Sequence, residues 1–278
     1  MSTATRPIED VQNHRDLRGI AIDQVGVSEL RYPITVLEPK QGEQSVTARI
    51  SMSVNLPHHF KGTHMSRFIE VLNEHRGEVT MRTLPTILRD LKSKLDAESA
   101  RIKVAFPYFV EKEAPESGAR ALMDYDCSFV GEANGGEEDF VLGVQVPVTS
   151  LCPCSKAISD YGAHNQRGVI TIEVRSGRYD DGGPALIWIE ELIEIAERSA
   201  SAPVYPLLKR VDERHVTMQA YDNPVFVEDM VRNVAVRLQE DPRVAWFRVH
   251  AVNQESIHNH GAFAELSWQR SNWNTAAK

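Results

Sequence analysis

Two cysteines separated by one proline, Cys152 and Cys154, precede His164 in the stretch SLCPCSKAISDYGAHNQRG, residues 150–168. Thiolate and imidazole together suit Zn²⁺ or a comparable borderline divalent ion, and a catalytic centre of that kind needs a third protein ligand and one position open to water. A nucleophilic cysteine is the other chemistry the stretch could carry. A C-x-C pair with proline between its cysteines is poorly shaped for a local disulfide, which leaves thiols or thiolates. A plainer reading stands beside these: Cys152 and Cys154 as small buried apolar residues, and His164 as a surface loop residue. A single C-x-C with a distant histidine lacks the specificity of paired C-x₂-C knuckles.

Two other stretches concentrate acid, base and ligand groups. In LLKRVDERHVTMQAYDNPVFVEDM, residues 207–230, Lys209, Arg210, Asp212, Glu213, Arg214, His215 and the pair Glu228 and Asp229 lie close to Tyr221 and Phe226. A charged loop would account for most of this, and Asp229 reads as an acid complementing the positive end of a helix. Glu228 stays open. In NQESIHNHGAFAEL, residues 253–266, Glu255, His258 and His260 gather just before a strand, and H-x-H at strand spacing puts both imidazoles on one side.

Composition sets the bounds on what these residues serve. The chain has 278 residues, 42% hydrophobic and 25% charged, enough for a substantial core in one large or two modest domains. No apolar run is long enough to span a bilayer, and the start MSTATRPIEDVQNHRD is polar and mixed in charge. A cytoplasmic protein without membrane association is expected. A net charge of −8 argues against a nucleic-acid partner but allows an anionic small molecule in a local basic pocket. Three cysteines, with Cys127 the third, make a disulfide framework unexpected.

Period-2 alternation predicts strands over 29–38 and 45–55, and 3.6-residue apolar periodicity predicts a helix after Thr63 as N-cap and another over 83–97. Strands over 101–112 and 120–132 follow. The second half repeats the order, with strands over 139–148 and 168–176, helices over 187–199 and 224–239, and strands over 243–253 and 261–269. Asn223-Pro224 reads as N-cap and first residue of the last helix. The expected class is α+β, with two tandem ββααββ modules, antiparallel sheets and helices on one face. A polar leader covers 1–28, the first module 29–135, and the second module 136–278. The cysteine stretch falls in a long connection between the first two strands of the second module, where function concentrates.

Taken together, SLCPCSKAISDYGAHNQRG, YPLLKRVDERHVT, AYDNPVFVED and ESIHNHGAFA, with FKGTHMSRFIEVL at 60–72, resemble the GTP cyclohydrolase type IB family. The resemblance runs through most of the chain, with the motifs in family order. It implies a tunnelling fold and a homotetramer with active sites at subunit interfaces. The implied reaction opens the imidazole ring of GTP, releases C8 as formate and gives 7,8-dihydroneopterin triphosphate at the entry to pterin and folate synthesis. It also implies one divalent metal per site (Zn, Mn or Fe(II)), with Cys152 and His164 as ligands and Glu213 chosen as the third. Glu228 resembles the guanine anchor of tunnelling-fold enzymes, and Cys152, Glu255, His258 and His260 the catalytic set. Lys61, Arg67, Lys156, Lys209 and Arg210 are candidates for the triphosphate, each as readily a surface charge.

Three alternatives accompany this reading. An archaeal relative yields a cyclic-phosphate dihydroneopterin from GTP. A tunnelling-fold nitrile reductase uses a nucleophilic cysteine, here Cys152, with NADPH, but its lysine-rich cofactor motif is not seen. A non-catalytic purine- or pterin-binding scaffold predicts missing ligands, whereas every candidate ligand is present.

Overall fold

The computed structural model describes residues 10–39, 42–75, 79–80, 83–177 and 185–271. Nine strands and six α-helices occur among them: β1 Ile22–Glu38, β2 Gly42–Leu56, α1 Met65–Glu74, α2 Leu84–Leu95, β3 Ser99–Glu113, β4 Arg120–Asn134, β5 Glu137–Leu151, α3 Pro153–Ile158, β6 Asn165–Ser176, α4 Ile189–Glu197, β7 Ala202–Pro203, α5 Arg210–Asp222, α6 Val227–Glu240, β8 Val244–Asn253 and β9 Ala262–Gln269. The strand order is β1-β2-β3-β4-β5-β6-β8-β9, with β7 beside β5. The class is α+β, as expected.

Two compact units are present. The first comprises Met1–Leu37, Ser45–Val104 and Val130–Asp139; the second comprises Glu38–Gln44, Ala105–Phe129 and Phe140–Lys278. In the first unit α1 packs on α2 through Phe68, Val71, Leu72, Leu84, Ile87, Leu88 and Leu91, which are all fully buried. The stripe repeats at three- and four-residue spacing, which is why these segments are helices. Thr63 is not the N-cap of α1; His64 is, with no side-chain cap.

In the second unit β5, β6, β8 and β9 form antiparallel pairs, with one register shift in β6–β8 between Arg175 and Ser176. Alternate residues build three apolar rows across β5, β6 and β8: Leu142–Val174–Phe247, Val144–Ile172–Val249 and Val146–Ile170–Ala251. All nine side chains are at most 4% exposed. Each of the larger ones stabilises the fold by roughly 1.5–3 kcal/mol through burial. Helix α6 covers β8 and β9, and α4 covers β6. One step further along the same face the rows change character, to Val148–Gly168–Asn253 and then Ser150 opposite Gln166. Polar side chains here continue the phase of the apolar core.

Three expectations are corrected. Strand β1 begins at Ile22, within the stretch read as polar leader. Residues 210–222, read as a charged loop, are the helix α5. The last helix starts at Val227 with Phe226 as N-cap, whereas Asn223 closes α5 as its C-cap. The Asn223 amide donates to the carbonyls of Ala200 and Ser201 at 2.9 and 3.3 Å, which ties the residue to the chain that follows α4. The turn SGRYDDGGP falls partly outside the described residues, at 178–184.

Candidate active site

The cysteine stretch begins where the β5–β6 ladder ends. Leu151 faces Asn165 as the last pair, and just beyond it the Cys152 amide donates to the His164 carbonyl at 3.1 Å. Between them Pro153–Ile158 winds the short helix α3, with Cys152 at its N-cap and proline in its first turn, where a missing N–H costs nothing. Cys152 Sγ accepts from the Ser155 amide at 3.4 Å. The Ser155 hydroxyl donates to the Cys152 carbonyl at 3.1 Å and accepts from the His164 amide at 3.1 Å, tying both ends of the connection together. Cys152 is half-buried and Cys154 exposed, so the plainer reading of two buried cysteines is wrong for Cys154. Cys127 is the buried one, and desolvation pushes its thiol well above the usual range.

His164 and Glu255 come together: Nδ1 lies 3.8 Å from Glu255 Oε2, with each side chain 12% exposed. The Ser256 hydroxyl is 3.5 Å from the same nitrogen, and Gln166 Oε1 is 2.7 Å away. His258 and His260 follow on an exposed segment that precedes β9. Their rings stack at 5.1 Å, so the two imidazoles do lie side by side although the segment is not strand. His260 Nδ1 is 3.2 Å from the Gly261 carbonyl.

Helix α5 carries the next group. Its first turn is clamped by Asp212, fully buried, whose carboxylate accepts from the amides of Glu116, Ser117 and Lys209 at 2.8 Å each and from the Ser117 hydroxyl at 2.6 Å. Burial opposes ionisation, but the hydrogen bonds from Ser117, Lys209 and Glu116 outweigh it and hold this carboxyl well below the ordinary range. The clamp sets the direction in which Lys209, Arg210 and Glu213 leave α5, and all three are exposed. His215 pairs with Glu116 at 2.6 Å. Glu228 lies exposed in the first turn of α6, beside Asp229, which is paired with Arg232 at 3.0 Å.

The candidate cations differ in how far they are engaged. Lys156 donates to the Tyr221 carbonyl and sits 4.2 Å over the Tyr221 ring, near the negative end of α5. In the first unit Lys61 is exposed, whereas Arg67 donates to the Lys94 carbonyl at 3.0 Å near the end of α2.

A thiol, an imidazole and carboxylates are a chemically suitable donor set for a divalent ion. Within one chain, however, no three His, Cys, Asp or Glu side chains are arranged to hold a metal among the described residues. The structure joins Cys152 to His164 through the backbone and His164 to Glu255 through side chains; it does not bring Glu213 to them. Ser150, Gln166 and Asn253 belong to the same neighbourhood and were missed from sequence: Ser150 and Gln166 lie beyond the strand ends expected at 148 and 168, and only the observed register aligns them with the core.

Residues 8–264 match the family described as type I GTP cyclohydrolase FolE2. A GTP cyclohydrolase FolE2 from Syntrophotalea carbinolica is 55% identical over 261 residues, covering 94% of this chain and 95% of the relative. One from Syntrophus aciditrophicus is 56% identical over 255 residues, covering 92% and 97%. Among solved structures, the uricase of Arthrobacter globiformis aligns with a TM-score of 0.57 at 10% identity, over 92% of this chain and 96% of the uricase. That likeness concerns the fold alone, the tunnelling fold with its antiparallel sheet. On the family match and these two relatives, the chain belongs to the type I GTP cyclohydrolase FolE2 family.

Proposed function

We propose that this protein is a metal-dependent GTP cyclohydrolase that converts GTP and water to 7,8-dihydroneopterin 3′-triphosphate and formate, the first step toward tetrahydrofolate. The observation that carries the reading is the junction of Cys152, His164 and Glu255 at the open end of the β5–β6 ladder. It lies in a chain more than half identical, almost end to end, to curated GTP cyclohydrolases.

The reaction balances at one net water. Two waters add across the bonds of C8, which leaves as formate, and one water departs when the freed amine closes on the ribose-derived carbonyl. Cys152 and His164 would hold one divalent ion, Zn, Mn or Fe(II), with Glu213 as the third ligand. When bound, such an ion lowers the pKa of its water toward neutrality and so supplies the nucleophile for C8. Among the described residues one chain does not group three ligands; the assembly proposed, from the family resemblance, is a homotetramer with interfacial sites, in which a second copy would complete the set.

The chain's own groups do the remaining work. Glu255, beside His164 and largely buried, accepts a proton, and the exposed His258 and His260 exchange protons with the purine nitrogens as the ring opens and the new one closes. Glu228, exposed at the first turn of α6, accepts two hydrogen bonds from the N–H edge of guanine. Lys156, Lys209 and Arg210 in the second unit offer positive charge to the triphosphate of an otherwise acidic protein, and Lys61 and Arg67 are the candidates that the first unit carries. No helix among the described residues is long and apolar enough to cross a membrane, and a cytoplasmic enzyme acting on free GTP accords with that. Mass analysis of the product tests the reaction: a triphosphate supports it, and a cyclic phosphate would assign the archaeal-type activity instead.

A further inference from the structure

Beneath His164 runs a chain of hydrogen bonds whose direction is decided at one end. Ser150, 1% exposed, has a hydroxyl with a single proton and three polar neighbours: the Val225 carbonyl at 3.3 Å, Asn253 Nδ2 at 2.9 Å and Gln166 Nε2 at 3.4 Å. A backbone carbonyl only accepts, so the Ser150 proton goes to Val225 and the Ser150 oxygen accepts from both amides. Gln166 must then turn its NH₂ group to Ser150 and its carbonyl oxygen to His164, where Oε1 lies 2.7 Å from Nδ1. The other groups near Nδ1 are compatible: Glu255 Oε2 at 3.8 Å attracts an N–H, and the Ser256 hydroxyl at 3.5 Å accepts one.

We infer that Gln166 is a positioning residue that keeps the proton of neutral His164 on Nδ1 and leaves Nε2 as the free electron-pair donor, its amide oriented through Ser150 by the Val225 carbonyl. The register supports a built arrangement. Ser150 and Gln166 face each other across β5 and β6, in phase with the buried rows, and Asn253 sits opposite Gly168 one step away. The role matters for catalysis through the reading of His164 as a metal ligand, because the nitrogen left without a proton is the one that binds, and a partner on the other nitrogen fixes the ring's angle.

The test uses the metal-free protein with ¹⁵N-labelled histidine, at a pH where the imidazole is neutral, with the His164 signals assigned by substitution. The parent should show a protonated Nδ1 and a bare Nε2; Gln166→Glu, which keeps an acceptor, should preserve that pattern. Gln166→Leu should shift it to a mixture of tautomers and lower zinc affinity, read by competition with a chelating dye, by about 10- to 100-fold. A parent carrying its proton on Nε2, or a Gln166→Leu variant with the parent's pattern, would overturn the inference; if the leucine variant does not fold, the parent and glutamate spectra decide. A changed tautomer with unchanged zinc affinity would leave Gln166 as the positioning residue and remove His164 from the proposed ligands.

Discussion

The Cys152 amide donates to the carbonyl of His164 at 3.1 Å, so two residues far apart along the connection leave the sheet as neighbours. The connection between β5 and β6 is thereby a closed loop whose ends are held by backbone, independent of what the side chains bind. Cys152→Ala should therefore keep the fold within about 1 kcal/mol of the parent in urea unfolding, since the lost side-chain hydrogen bond is single and partly exposed. His164→Ala should keep the fold at a larger cost, because it leaves Gln166 and the largely buried Glu255 without their imidazole partner. Both should lose bound metal, measured by elemental analysis after dialysis, and activity with it. Full metal content in Cys152→Ala would show that the thiolate is not a ligand.

Gly168 faces Asn253 across β6 and β8, and a Cβ there would lie 2.6 Å from Asn253 Oδ1 and 3.3 Å from Val148 Cγ2. Asn253 Oδ1 is buried without a hydrogen-bond partner among the described residues, so nothing but packing resists its displacement, while its Nδ2 is engaged with Ser150. Gly168→Ala should destabilise by about 1–3 kcal/mol. Combining it with Asn253→Ala should cost less than the sum of the two single changes, because the clashing atom is gone. Strict additivity in chemical denaturation would show that the clash is relieved elsewhere.

Asp212 links acid stability to the placement of α5. Its folded-state pKa is depressed, so at low pH the unfolded chain binds the proton more readily than the folded one, and the contribution to stability is present above the ordinary carboxylate pKa of about 4 and lost as pH falls below it. Asp212→Asn cannot accept all four hydrogen bonds and should be less stable than the parent at neutral pH. The gap in unfolding midpoint should narrow below pH ~4. A gap independent of pH would mean that charge is not what the clamp uses.

Glu228 stands exposed in the first turn of α6, where the positive end of the helix suits an acidic side chain. As the guanine anchor, its removal should weaken GTP binding by roughly 10- to 150-fold, the equivalent of losing charged hydrogen bonds worth about 1.5–3 kcal/mol. Equilibrium binding of GTP to Glu228→Ala measures this, and parent-like affinity would reject the role.

Much of this was legible in sequence for physical reasons that differ by element. Helices α1 and α2 and the strands from β3 to β8, apart from the two-residue β7, bury one face each, β9 alternates half-buried and exposed residues, and burial imposes a period. Helix α5 was missed because it buries only Asp212 and Ala220, leaving Val211, Met218 and Tyr221 exposed, so no apolar stripe marks it. The start of β1 was missed because Glu29 adopts a positive φ of 55°, which breaks the alternation between Ile22–Ser28 and the rest of the strand. At the site, residue types pointed to Cys152, His164 and Glu255, which the structure links through one backbone and one side-chain contact. Gln166, Ser150 and Asn253 carry no catalytic type of their own, and only the strand register reveals that they share a face with the core.

The most direct test of the proposed activity is incubation of metal-reconstituted protein with GTP, followed by assay of formate and of fluorescent neopterin after oxidation. Equal amounts of formate and 7,8-dihydroneopterin triphosphate, dependent on Zn, Mn or Fe(II) and absent with Cys152→Ala, are expected; GTP left intact under all three metals would contradict the assignment.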